Sequence, residues 1–116
     1  MKSYDYSFLG TDYKLGFHFG QYTNNGNLYV GLINLESEDE PYFMDLTINL
    51  TGLLPFQAAI DNTLDKDICD WLVQIGAGRT CDRSLRCGFA EYPLFRFDEV
   101  FLRDANPESF TSLLTE

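Results

Sequence analysis

The sequence predicts an α+β domain: an antiparallel sheet of five or six strands, one main helix over about residues 65–75 packed on one face, and a short C-terminal helix. Three observations carry this expectation. Apolar and polar residues alternate with period two through most of the first half. Around residues 65–75 the apolar spacing changes to three, four and seven. Near the C-terminus, Asn106-Pro107-Glu108 has the form of a helix N-cap with proline at the first helical position.

The elements follow in order. A first strand is expected near Tyr4 to Leu9. In the second, Tyr13 to Tyr22, the residues Tyr13, Leu15, Phe17 and Phe19 alternate with Lys14, Gly16, His18 and Gly20, so its buried face is largely aromatic. Thr23-Asn24-Asn25-Gly26-Asn27 tolerates positive φ and reads as a hairpin turn, with Leu28 to Leu35 returning. Glu36-Ser37-Glu38-Asp39-Glu40-Pro41 is too charged to be buried and forms the next hairpin tip. In Tyr42 to Leu50, the residues Tyr42, Met44, Leu46, Ile48 and Leu50 alternate with Phe43, Asp45, Thr47 and Asn49, which predicts one continuous strand and completes a four-stranded meander.

Gln57 to Asp61 adds a short strand. The main helix buries Ile68, Trp71, Leu72 and Ile75, carries Asp65 and Asp67 in its first turn and stops at Gly76. The stretch after it reads as a structured connection into a final strand at Leu94 to Phe97, for which Pro93 is a suitable start. Asp98 to Leu102 fits no single pattern, and the C-terminal helix carries Phe110, Leu113 and Leu114.

The chain has 116 residues, the length of one domain, with 45% hydrophobic and 16% aromatic residues, enough for a packed core. Eight lysines and arginines against 18 aspartates and glutamates give a formal charge of −10. Such a surface repels phosphate backbones, which argues against direct nucleic-acid binding and for a basic partner; acidity also serves solubility. The N-terminus lacks an apolar run of signal-peptide length, and no segment approaches a membrane span of about 20 apolar residues. Three cysteines, an odd number, fit a reducing compartment. A cytoplasmic location, without membrane association, is the expectation.

The chemistry-bearing residues concentrate in GAGRTCDRSLRCGFAEYPLFRF, residues 76–97. Cys69, Cys81, Cys87 and His18 are the atom types of a zinc site, but five residues separate Cys81 from Cys87 and Cys69 falls on the helix, which matches no standard ligand spacing. No metal or other cofactor is expected. Arg79, Arg83 and Arg86 would favour a thiolate at Cys81 or Cys87, yet the only histidine to serve as base is His18 on a strand of the sheet, and nothing in the sequence brings the two together, so no catalytic residue is assigned. A phosphate cradle would use the same arginines with Gly76 and Gly78, although these glycines close a helix where phosphate loops open one. Salt bridges to nearby carboxylates are the competing reading of the arginines. The tip residues Glu36, Glu38, Asp39 and Glu40, with Asp65, Asp67 and Asp70 on the helix, present carboxylates as a candidate partner-binding surface.

From about Leu46 to Phe97 the chain resembles the domain-of-unknown-function family numbered 4313, small proteins of phages and mobile elements in Firmicutes and related gut bacteria. The residues that carry the resemblance are Leu46-Thr47-Ile48-Asn49-Leu50, Ala59-Ile60-Asp61-Asn62-Thr63, Gly76-Ala77-Gly78 with Arg83, Gly88-Phe89 and Tyr92-Pro93-Leu94-Phe95-Arg96-Phe97. In that family's pattern a threonine-glycine-arginine and a serine-glycine precede the tyrosine-proline block. Cys81 and Cys87 stand in the glycine and serine places here, so the resemblance implies no role for the thiols.

The resemblance implies no activity either, but its setting implies a counter-defence role of the anti-CRISPR or anti-restriction kind. The expectation is therefore a non-enzymatic protein that binds a basic surface of a host defence protein, as a monomer or homodimer. The alternative is a small-ligand or nucleotide-binding protein that uses Arg79, Arg83 and Arg86.

Overall fold

The computed structural model describes residues 1–114. Strands β1 (Tyr4–Phe8), β2 (Thr11–Gln21), β3 (Leu28–Asn34) and β4 (Tyr42–Asp45) form the expected antiparallel meander in chain order. Leu9 and Gly10, with φ of 50° and 81°, close the first hairpin as a two-residue turn. Phe17 lies opposite Leu32 and Phe19 opposite Val30, so the apolar residues of β2 and β3 share one face. All four are buried. The expected turn after β2 is closed by the Tyr22 amide on the Asn27 carbonyl at 2.9 Å and the Gly26 amide on the Tyr22 carbonyl at 2.8 Å.

The single sheet of five or six strands becomes two sheets of four. The predicted strand Tyr42 to Leu50 breaks at Leu46, and residues beyond it, β5 (Thr47–Ile48), open a second antiparallel sheet with β6 (Gln57–Ile60), β8 (Ala90–Phe97) and β7 (Gly78–Cys87), in spatial order β5-β6-β8-β7. Leu46 is the point of transfer. Its amide donates to Val30 in the first sheet at 2.9 Å, its carbonyl accepts from Asp61 after β6 at 2.9 Å, and its side chain is fully buried. The alternation is also interrupted by a register shift between Leu32 and Ile33 opposite β4, so Tyr42 ends up exposed while Thr47, expected on the polar face, is buried. Thr47 is satisfied there: its hydroxyl accepts from the Val30 amide at 3.2 Å and lies 3.0 Å from the Tyr22 hydroxyl.

The connection expected after Gly76 is largely a strand. β7 and β8 form a long hairpin that turns at Gly88-Phe89, with Gly78 opposite Phe97 and Cys87 opposite Ala90. β7 is an edge strand, mostly exposed on both faces, so no period-two hydrophobic signal marks it. Pro93 lies inside β8, not at its start. Pairing of β6 with β8 extends only to Leu94, so the missing amide of Pro93 costs no bond on that side.

Helix α1 (Ile68–Gln74) is shorter than expected because Asp65 and Asp67 precede it. Asp65 accepts from the Asp67 amide at 3.0 Å, an Asx turn that competes with the first helical turn. The stop is as predicted. The Gly76 amide bonds to Val73 at 3.1 Å and the Ala77 amide to Leu72 at 2.9 Å, with Gly76 at φ 85°, the paired bonds of a Schellman cap. Ile68 and Leu72 are buried, and Trp71 and Ile75 pack against the same core from half-buried positions.

The ambiguous segment is α2 (Glu99–Ala105), capped by the Asp98 carboxylate accepting from Phe101 at 3.0 Å. Asn106 then caps α3 (Pro107–Leu114), its side-chain oxygen accepting from Ser109 at 3.2 Å. The side chains of Leu113 and Leu114, which the predicted helix carries, lie outside the described residues. Phe101 packs edge-on to Phe17 and Phe110 edge-on to Phe19, so α2 and α3 cover the apolar face of the first sheet.

Candidate functional site

The tip between β3 and β4 exposes Glu36, Glu38, Asp39 and Glu40, as expected. It is ordered by local bonds: the Asn34 side chain accepts from the Glu36 amide at 3.1 Å, and the Ser37 hydroxyl accepts from Glu40 at 3.2 Å. Glu36 also reaches a groove of about 430 Å³ along β1 and β2, lined in part by Asp5, Asp12, Lys14 and Tyr6. Lys14 pairs with Asp5, its cross-strand partner, and this is the salt bridge present among the described residues. The Asp5 carboxylate, with smaller contributions from Glu36 and Asp12, holds the Lys14 ammonium above the ordinary lysine range. The groove thus carries three carboxylates, Asp5, Asp12 and Glu36, and one ammonium group, Lys14.

The helix carboxylates divide. Asp67 and Asp70 are exposed, while Asp65 is half-buried and accepts from the Tyr6 hydroxyl at 2.5 Å. Burial, then that hydrogen bond, raises the Tyr6 phenol well above the ordinary tyrosine range. Asp65 therefore acts mainly as an internal acceptor that fastens the segment before α1 to β1, and the Trp71 indole, donating to the Asp5 carbonyl at 2.8 Å, fastens α1 itself to the same strand.

The three arginines do not converge. Arg79 sits opposite Arg96 and Arg86 opposite Glu91, and these partners are an odd number of residues apart on β8, so Arg79 and Arg86 occupy opposite faces of the hairpin. Arg83 lies in the irregular segment between Thr80 and Ser84. The arrangement instead brings Arg79 together with Arg96, beside a cleft of about 490 Å³ lined by Phe56, Gly76, Gly78, Arg79, Arg96, Phe97, Asp98 and Glu99. Arg96 was legible only as the polar residue between Phe95 and Phe97; its alignment with Arg79 depends on the hairpin register. Asp5 and Asp12 could have been found from the Leu9-Gly10 turn, which fixes Asp5 across from Lys14.

The cysteines are free and separately placed. Cys69 lies half-buried on α1, Cys81 accepts from the Gln57 side-chain amide at 3.7 Å, and Cys87 is exposed at the end of β7. Burial, aided by Asp70, pushes the Cys69 thiol up to about 11. Among the described residues no three histidine, cysteine or acidic side chains are grouped to hold a metal ion.

His18 belongs to a different cluster on the outer face of the first sheet. Its ring meets Tyr29 edge-on at 5.5 Å, and the Tyr29 hydroxyl donates to Asp45 at 2.6 Å. Gly31 makes room for them, since a Cβ there would lie 2.4 Å from both the His18 Nε2 and the Tyr29 hydroxyl. Burial lowers the His18 pKa, opposed by the Asp45 charge.

No curated protein and no solved structure matches the chain. The family model described as Domain of unknown function (DUF4313) matches residues 16–115, a span that begins within β2, leaves out β1, includes the whole second sheet and continues through the C-terminal helix. That match is wider than the Leu46 to Phe97 block on which the resemblance first rested, and it shows that the chain belongs to the DUF4313 family.

Proposed function

We propose that this protein is a non-enzymatic binding protein that presents the Glu36–Glu40 tip and the adjoining Asp5, Asp12 and Glu36 groove to a basic surface of a partner protein. The observation that carries the reading is the groove itself: carboxylates from three chain segments surround one lysine in a chain of formal charge −10. Fixed carboxylates of this kind stand where phosphates would lie on a nucleic-acid-binding surface, and their attraction is long-ranged and salt-dependent. The partner class we infer is a nucleic-acid-dependent host defence protein, in keeping with the mobile-element setting that the family resemblance implies. The protein would act in the cytoplasm of the bacterial host.

The test is affinity capture from host lysate with wild type and a variant carrying Glu36→Lys, Glu38→Lys, Asp39→Lys and Glu40→Lys. The reading expects a nucleic-acid-binding protein to be retained at low salt by wild type, eluted by rising salt, and lost with the variant. Retention that is indifferent to both salt and charge reversal would exclude this surface.

A further inference from the structure

Arg79 and Arg96 are directly opposite one another across β7 and β8, and neither makes a salt bridge among the described residues. Like charges in that relation destabilise a strand pair, and this chain has carboxylates in excess with which either could have been neutralised. Gly78 brings the two strands close at this point: a Cβ there would lie 2.0 Å from the Arg96 carbonyl oxygen and 2.9 Å from the Phe95 ring. Arg79 and Arg96 both line a cleft of about 490 Å³, within the size range of small-molecule sites.

The other walls supply different chemistry. Phe56 has a left-handed backbone, φ 64°, a conformation that costs free energy for a bulky residue and is held here by the Phe97 amide donating to the Phe56 carbonyl at 2.8 Å. It gives the cleft an aromatic flank. Asp98 is engaged as the cap of α2, whereas Glu99 is exposed and makes no side-chain hydrogen bond among the described residues, so it is an acceptor for a ligand hydroxyl or amine.

We propose that this cleft binds a phosphate monoester with a hydroxylated, ring-bearing body, of the mononucleotide class, with Arg79 and Arg96 holding the phosphoryl oxygens. Two guanidinium forks match a dianionic tetrahedral group in charge and in donor number better than they match a single carboxylate. Phe56 then flanks the ring and the Glu99 carboxylate accepts a hydrogen bond from a ligand hydroxyl. The site is separate from the acidic groove, and neither reading depends on the other.

The test is a titration of the intact protein followed by amide NMR, with uridine monophosphate, uridine, inorganic phosphate and phenylalanine as probes. Uridine monophosphate at millimolar concentration should shift the amides of Gly78, Arg79 and Arg96, inorganic phosphate should shift a subset of them, and uridine should bind at least tenfold more weakly. Arg79→Gln, on the edge strand, should weaken the nucleotide about tenfold or more while leaving the remaining spectrum intact, and Arg79→Lys should restore part of the loss. Absence of shifts in the cleft would overturn the proposal. So would equal binding of uridine, undiminished binding by Arg79→Gln, or a response of the same amides to phenylalanine alone.

Discussion

Replacing Gly78 by alanine should be among the most damaging methyl additions in the molecule. The new Cβ would lie 2.0 Å from the Arg96 carbonyl oxygen, where ordinary contact begins at 3.4 Å. That oxygen is backbone of β8, a strand held by β6 on one side and β7 on the other, so it cannot swing aside as a side chain can. Relief requires parting the two strands by more than an ångström, and overpacking of this kind costs about 1–3 kcal/mol. For a domain of this length, that is a fall of roughly 5–20 °C in Tm. Two other glycines calibrate the result. Gly20→Ala meets nothing within 4 Å and should be neutral or stabilising by up to about 1 kcal/mol, because alanine restricts the unfolded chain. Gly31→Ala meets only the ends of His18 and Tyr29 and should fall between the two. Urea and thermal denaturation followed by circular dichroism give the comparison. A Gly78→Ala variant within about 0.5 kcal/mol of wild type would refute the reasoning, since β7 would then not lie against β8 in the register described.

Leu46→Ala should cost about 2–5 kcal/mol in urea denaturation, because the side chain is fully buried where the chain passes between sheets. Asn106→Ala should cost about 2–3 kcal/mol by the same measurement: it leaves the Phe17 carbonyl without its 2.9 Å donor and removes the cap of α3. Thiol titration with a disulfide reagent near pH 8 should modify Cys87 rapidly and Cys69 slowly, since Cys69 is half-buried with its thiol pushed up to about 11. The linked stability follows from the raised value. The contribution of Cys69 is fully present below the ordinary thiol value of 9.0 and is lost as pH rises from there through about 11, a loss that Cys69→Ala should remove.

Much of the first sheet was legible because each of its central strands buries one face. Tyr13, Leu15, Phe17 and Phe19 show period two, and the turn residues around Gly26 supply the conformations that the hairpin needs. The helix stop at Gly76 was equally readable. The break at Leu46 was not, because a strand that leaves one sheet for another keeps its apolar alternation while its neighbours change. β7 was hidden for the opposite reason: an exposed edge strand has no buried face to generate a pattern.

The candidate sites divide in the same way. The acidic tip is a local feature of composition, so Glu36, Glu38, Asp39 and Glu40 could be named from the chain alone. Its extension to Asp5 and Asp12 depends on how two hairpins lie together. The cluster Arg79, Arg83 and Arg86 looked like one cradle because the residues are near in sequence, but strand alternation and the irregular segment before Ser84 distribute them over both faces. Register replaced two of those neighbours with Arg96.

The most direct test of the acidic-surface account is the affinity of the captured partner for wild type and for the fourfold lysine variant of the tip, measured across a salt series. With exposed ion pairs worth about 0.5–1 kcal/mol each, reversing four charges should weaken binding by about 2–4 kcal/mol, roughly 30- to 1000-fold in Kd. The salt dependence of the remaining affinity should flatten. Equal affinities with equal salt slopes would contradict the account and move the interface away from the tip.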